Sequence, residues 1–169
     1  MRQFLAMCLL LVVAPLTASA LEVGEAAPSV VLTQISATGM EAPNDIIARE
    51  AGTTTDYKVL EFFSTTCPAC HESLPIFSAL ATEFAGKVTF RQVGLDRDPQ
   101  KVRDYITEKK ALIHYDVALD NSREAARAYK IRYTPTLFVV DGNSQIVVKI
   151  IGVPSPEQLD ELRQLFNGN

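Results

Sequence analysis

The chain has 169 residues, with 16 Lys and Arg against 20 Asp and Glu, a formal net charge of −4. It shows no Lys/Arg-rich run and no basic–aromatic interleaving, which argues against a nucleic-acid partner. Beyond the first twenty residues, no apolar segment approaches the roughly 17–25 residues a membrane-spanning helix needs.

Those twenty, MRQFLAMCLLLVVAPLTASA, read as a signal peptide. Arg2 supplies a positive start, Phe4 to Leu16 an apolar stretch, and Ala18-Ser19-Ala20 a small-x-small cleavage site. Cys8 is then a passive residue of the apolar stretch, and an uncleaved N-terminal anchor is the other reading. Cleavage removes Arg2 and no acid, leaving about 149 residues from Leu21 with a net charge of −5. The expected organisation is a signal peptide over 1–20 and a single domain over 21–169 in an exported protein.

Residues 36–56 look loop-like. KVLEFFS, 58–64, is β-branched and aromatic with polar flanks, the pattern of a buried strand. After CPACH, 67–71, the residues Leu74, Phe77, Leu80, Ala81 and Phe84 recur at helical spacing, with Gly86 as a stop and Pro75 as an internal kink. VTFRQVGLD (88–96) predicts a strand and PQKVRDYITEKK (99–110) a helix. HYDVALD (114–120) predicts a short strand, and NSREAARAYK (121–130) a helix. TLFVVD (136–141) and QIVVKII (145–151) flank a Asp141-Gly142-Asn143 turn, a hairpin signal. In SPEQLDELRQLF, Ser155 caps a last helix, Pro156 takes its first position and Gln158 completes a capping box. The alternation predicts an α/β fold: a mixed central sheet flanked by helices, parallel in the core, with an antiparallel edge hairpin.

The cysteines carry the chemistry. The mature chain holds two, Cys67 and Cys70, and a bridge between them closes too short a ring to constrain the unfolded chain much. C-x-x-C near a βαβ pattern signals a dithiol/disulfide centre, whereas C-x-x-C-H is also the attachment sequence for c-type haem. Placed where a strand runs into a helix, Cys67 falls near the helix N-terminus, where unpaired N–H groups and the macrodipole favour a thiolate. An inert pair is the bland alternative. For haem, His71 would be one axial ligand, with Met40 or His114 the other; a surface histidine is the plainer reading. Two cysteines with histidines at 71 and 114 have no recognised zinc spacing. Glu61 interrupts an apolar strand. If buried, its pKa rises towards neutrality; otherwise it is a strand-edge charge facing water.

Taken in order, VLEFFSTTCPAC, Pro75 five residues past Cys70, Tyr133-Thr134-Pro135-Thr136 and KIIG before the last helix resemble the thioredoxin superfamily. The span from Cys67 to Pro135, with an extra helix and strand over roughly 99–120, is similar to the central insertion of the TlpA/ResA group. VGEAAPSVVL, 23–32, is similar to its N-terminal segment. Three positions depart from the pattern. Thr66 replaces a Trp, Pro68-Ala69 replaces Gly-Pro, and Thr136 stands where the cytochrome c maturation reductases carry an acid. The resemblance implies a thioredoxin fold with an inserted helix–strand and an N-terminal extension. It implies a thiol–disulfide oxidoreductase with Cys67 as nucleophile, Cys70 as the resolving thiol and Glu61 as its proton acceptor. Pro135 becomes a cis proline that presents the Thr134 backbone to substrate; without the resemblance it would read as a strand-opening proline. No dissociable cofactor is implied. The expected partners are cysteine-containing envelope proteins and a membrane redox partner, met by a monomer in a bacterial periplasm, with reduction slightly favoured. A haem electron-transfer protein and a non-catalytic thioredoxin-like binding module are the other function classes.

Overall fold

A computed structural model describes residues 20–49, 51–54 and 57–168. The expected signal peptide lies outside them except for Ala20. Among the described residues no helix is long and apolar enough to cross a membrane.

The chain runs β1 (Val31–Ile35), β2 (Met40–Asp45), β3 (Lys58–Phe63), α1 (Pro68–Glu83), β4 (Thr89–Gly94), α2 (Pro99–Glu108), β5 (Asp116–Leu119), α3 (Glu124–Ala128), β6 (Thr136–Val140), β7 (Ile146–Ile151) and α4 (Pro156–Asn167). The strands form one sheet in the order β2-β1-β5-β4-β3-β6-β7. Its centre, β3, β4 and β5, is parallel, and β6 and β7 close one side as the antiparallel hairpin the turn residues predict. Every residue of β3, β4 and β6 is buried, as expected of central strands covered on both faces.

Strand alternation sorts the core. Val59, Glu61 and Phe63 face α1, which packs Phe77, Leu80 and Phe84 with Leu162 and Phe166 of α4. Beside them, Cys70 and Leu74 meet Val102, Tyr105 and Ile106 of α2. Leu60 and Phe62 face the opposite way, onto Ala125, Ala126 and Tyr129 around α3 and onto Leu21, Ala27 and Val30 of the N-terminal segment.

Two elements differ from expectation. The stretch over 36–56 contains a strand, β2, which pairs antiparallel with β1, itself antiparallel to β5. From Met40 to Asn44 every β2 side chain is exposed and Pro43 lacks an N–H, so this edge strand has no apolar alternation to read. Buried Arg91 instead holds its end, donating to the Asp45 and Ile46 carbonyls at 2.8 and 2.9 Å. The helix expected over 121–130 is only five residues long. Asp120, fully buried, accepts from the backbone N–H groups of Glu124 and Ala126 at 2.7 Å each, which fixes the start of α3 late. Pro75 lies inside a continuous α1, and the α4 capping box forms as read.

Candidate active site

Residues 64–67 carry the chain from the end of β3 to the start of α1. Asp96, just past β4, holds this turn: its carboxylate accepts from the Thr65 N–H at 2.9 Å and the Thr65 hydroxyl at 2.8 Å. The Ser64 carbonyl accepts from the Cys67 N–H at 3.1 Å. Cys67 is thereby the N-cap of α1, extended in backbone (φ −87°, ψ 113°), with Pro68 where its missing N–H costs nothing. Its sulfur takes the role a Ser or Asp oxygen usually plays at such a cap, accepting from the Cys70 N–H at 3.2 Å.

The two sulfurs, both free thiols here, have different surroundings. Cys67 is partly exposed and Cys70 is 2% exposed. Burial works against the Cys67 thiolate. Hydrogen bonds from the Cys70 thiol, from Thr134 and from the Cys70 and Ala69 backbone outweigh it, and the pKa lies below the ordinary thiol value. Cys70 goes the other way: burial, then its hydrogen bond to Cys67, hold its thiol well above that value.

The Thr134–Pro135 peptide bond is cis. The loop is pinned from both sides, the Pro135 carbonyl accepting from the Gly152 N–H at 2.8 Å and the Thr136 hydroxyl donating to the Tyr133 carbonyl at 2.7 Å. It sets the Thr134 carbonyl oxygen 3.3 Å from the Cys67 sulfur. Of the two residues that the sequence singles out here, Thr134 borders the sulfur, and Pro135 forms the cis bond of the loop that carries it.

Glu61 is 2% exposed, on the face of β3 that α1 covers. Its carboxylate accepts from the Ser73 hydroxyl at 2.7 Å and from the Gln92 side-chain amide at 2.5 Å. Desolvation dominates those two stabilising bonds and pushes its pKa up to about 7. Ser73 also donates to the Cys70 carbonyl at 3.2 Å, so one hydroxyl links the acid to the residue carrying the buried sulfur. Ser73 and Gln92 are not singled out by the sequence. Ser73 lies three positions past Cys70, on the same helix face, and that spacing was the available signal. Gln92 stands opposite Glu61 only through the β3–β4 register. The Gln92 carbonyl oxygen and the Tyr105 and Tyr115 hydroxyls are buried without a hydrogen-bond partner. Burial and then the Glu61 charge push both phenols up.

His71 is exposed, its Nε2 3.0 Å from the Thr65 carbonyl oxygen and its ring edge-on to Tyr105. Haem attachment would need two accessible sulfurs and a histidine free to reach iron. A sulfur on a 2% exposed residue and an occupied imidazole do not fit that group. His114 bonds the Thr82 hydroxyl at 3.1 Å. Among the described residues no three His, Cys, Asp or Glu side chains cluster as a metal site.

A dithiol at a helix N-cap facing a cis-proline loop, on this sheet, defines a thiol–disulfide oxidoreductase of the thioredoxin superfamily. Comparison with known proteins agrees. The Redoxin family profile matches residues 22–165, and the chain belongs to that family. It is 27% identical over 129 residues to the thiol-disulfide oxidoreductase ResA of Bacillus cereus, covering 72% of this chain and 74% of that one. ResA of Bacillus anthracis is 25% identical over 130 residues, with 72% and 74% covered. Among solved structures, StoA from Bacillus subtilis superposes with a TM-score of 0.62 at 26% identity over 81% of this chain and 98% of its own. The thioredoxin domain of a Bacteroides vulgatus thiol-disulfide oxidoreductase gives 0.71 at 19% identity, over 88% and 100%. The chain is thus a TlpA/ResA-like protein.

Proposed function

We propose that the protein, exported after loss of residues 1–20 and acting as one thioredoxin-like domain over 21–169, reduces disulfides of envelope proteins through Cys67 and Cys70. The observation that carries this is the asymmetry of the two sulfurs. An accessible thiolate faces a docking backbone, and a shielded thiol sits behind it. The Cys67 thiolate attacks one sulfur of a partner disulfide, forming a mixed disulfide while the partner's other sulfur leaves as thiolate. Cys70 gives its proton to the Glu61 carboxylate and attacks the Cys67 sulfur. The Cys67–Cys70 disulfide forms, and the partner departs with both electrons. A membrane donor of two electrons then restores the dithiol. The same steps reversed oxidise a partner, and direction follows from the potential of the pair. During attack, the partner segment pairs with the Thr134 backbone as an added strand.

The decisive experiment incubates the reduced monomeric protein with a disulfide-bonded protein substrate and equilibrates the Cys67–Cys70 pair against a glutathione series. Thiol release that Cys67→Ser abolishes, with a potential below the glutathione couple, supports a reductase. A potential well above it reverses the direction. Activity untouched by Cys67→Ser would make this a binding module, and a haem absorption band in purified protein would overturn the thiol chemistry.

A further inference from the structure

The surface beside Thr134 has the opposite sign to the chain. A cleft of about 180 Å³ is lined by Ser64, Leu95, Arg123, Ile131, Arg132, Tyr133 and Thr134. Ser64 and Thr134 are the residues whose carbonyls meet the Cys67 N–H and sulfur, so two of the residues lining this cleft are bonded to Cys67. Two neighbouring depressions, which share Ile131 and Arg132 with it, add Arg127, Lys130 and Lys149. Glu22 is the one carboxylate among these linings, and Lys149 occupies it at 2.8 Å. The protein as a whole carries a net charge of −4.

Arg123 and Lys130, flanking α3, are both in the left-handed region at φ 63° and 53°. At Lys130 this conformation ends α3, the Ile131 N–H returning to the Ala126 carbonyl at 2.8 Å. Tyr133, next to Thr134, is 66% exposed, and Ile151, opposite Thr136 across the sheet, is 55% exposed. A segment lying against the Thr134 backbone has apolar contacts here and cations beyond them.

Resting on the disulfide-exchange reading above, we propose that this groove selects protein substrates whose cysteine is flanked by acidic residues. Asp or Glu near the partner's disulfide lies over Arg123, Arg127 and Lys130, which raises the encounter rate and sets register. The exchange step is the one already described: two electrons pass from the Cys67–Cys70 dithiol to the partner's disulfide.

The test uses the reduced full-length mature protein and two synthetic peptides of equal length, each with one internal disulfide, flanked by Asp/Glu or by Lys. Exchange rates are measured at ionic strengths of about 0.01 M and 0.5 M, where screening changes most. The acidic peptide is expected to react at least about 10-fold faster at low salt, with the gap closing at high salt. In Arg123→Asn/Lys130→Asn, chosen because Asn tolerates the left-handed backbone, and separately in Arg127→Glu, that preference is expected to vanish. Uncharged hydroxyethyl disulfide is expected to react at an unchanged rate in both. Equal rates for the two peptides with normal turnover of hydroxyethyl disulfide would overturn the groove alone. A preference that survives both variants would place the dock elsewhere, and anionic vesicles sedimenting the protein without any peptide preference would assign the patch to lipid. No turnover of any disulfide would instead sink the oxidoreductase reading.

Discussion

Replacing Glu61 by Gln should make the protein more stable and slower at once. The carboxyl moves from an ordinary 4.5 to about 7 on folding, because burial penalises its charge more than Ser73 and Gln92 compensate. At about 1.4 kcal/mol per pH unit, that is a preference for the neutral form of about 3 kcal/mol. The folded pKa is raised, so between 4.5 and about 7 the folded state keeps a proton the unfolded state has lost. Stability therefore falls as pH rises through that window. Below it the penalty is absent; above it the penalty is complete. Gln keeps the shape, and the Gln92 carbonyl oxygen, now without a partner, can accept from the new amide.

The variant is thus expected to match the wild type near pH 4 and to exceed it by about 3 kcal/mol at pH 8. Urea unfolding of the oxidised form, in which no thiol titrates, measures both. An advantage of equal size at pH 5 and pH 8 would mean that the carboxyl does not titrate across this window, and the reasoning would fail. The kinetic half is independent. Without a carboxylate to take the Cys70 proton, resolution of a mixed disulfide at neutral pH is expected to slow about 100-fold. The first attack by Cys67 should barely change.

Cys70→Ser is expected to accumulate stable mixed disulfides with partners and Cys67→Ser none, visible on non-reducing gels; iodoacetamide should modify Cys67 of the reduced protein far faster than Cys70. Thr134→Val removes a hydrogen bond to the Cys67 thiolate, which should raise that pKa towards the ordinary thiol value, read from ultraviolet thiolate absorbance against pH. Asp96→Ala frees the Thr65 N–H and hydroxyl and is expected to cost about 1–3 kcal/mol in urea unfolding. The potential of the Cys67–Cys70 pair should fall by about 59 mV per pH unit while both sulfurs take up protons, and by about 30 mV above the Cys67 pKa. The break should come below the ordinary thiol value, in glutathione equilibrations from acid to alkaline pH.

What the sequence discloses about this site divides by the range of the interaction. Strand, turn, Cys67 and helix are contiguous, so local pattern places Cys67 at the α1 N-terminus. Glu61 is conspicuous because a charge breaks an apolar run. Its partners are not, because Gln92 reaches it only through β3–β4 pairing and Ser73 only through the packing of α1 onto the sheet. The β2 edge escapes because its side chains are exposed and its end is held by Arg91 from a distant strand. The short α3 follows from Asp120 competing for backbone donors inside an otherwise helical stretch. Arg123, Arg127 and Lys130 recur at i, i+4 and i+7, a spacing that reads as an ordinary solvated helix face until the cis-proline loop is set beside it.

The same division explains how one short motif makes two unlike sulfurs. Four residues suffice to make Cys67 a cap, since its sulfur accepts from the Cys70 N–H of its own turn. Nothing in those four residues makes Cys70 a poor acid. Its thiol is held high by being sealed under Leu74, Val102, Tyr105 and Ile106, from two helices joined by the whole of β4. The cap of Cys67 is a local property here and the proton retention of Cys70 a tertiary one. A substitution in α2 that opens this cover, such as Ile106→Ala, therefore acts on Cys70 and Glu61 while leaving the Cys67 cap in place.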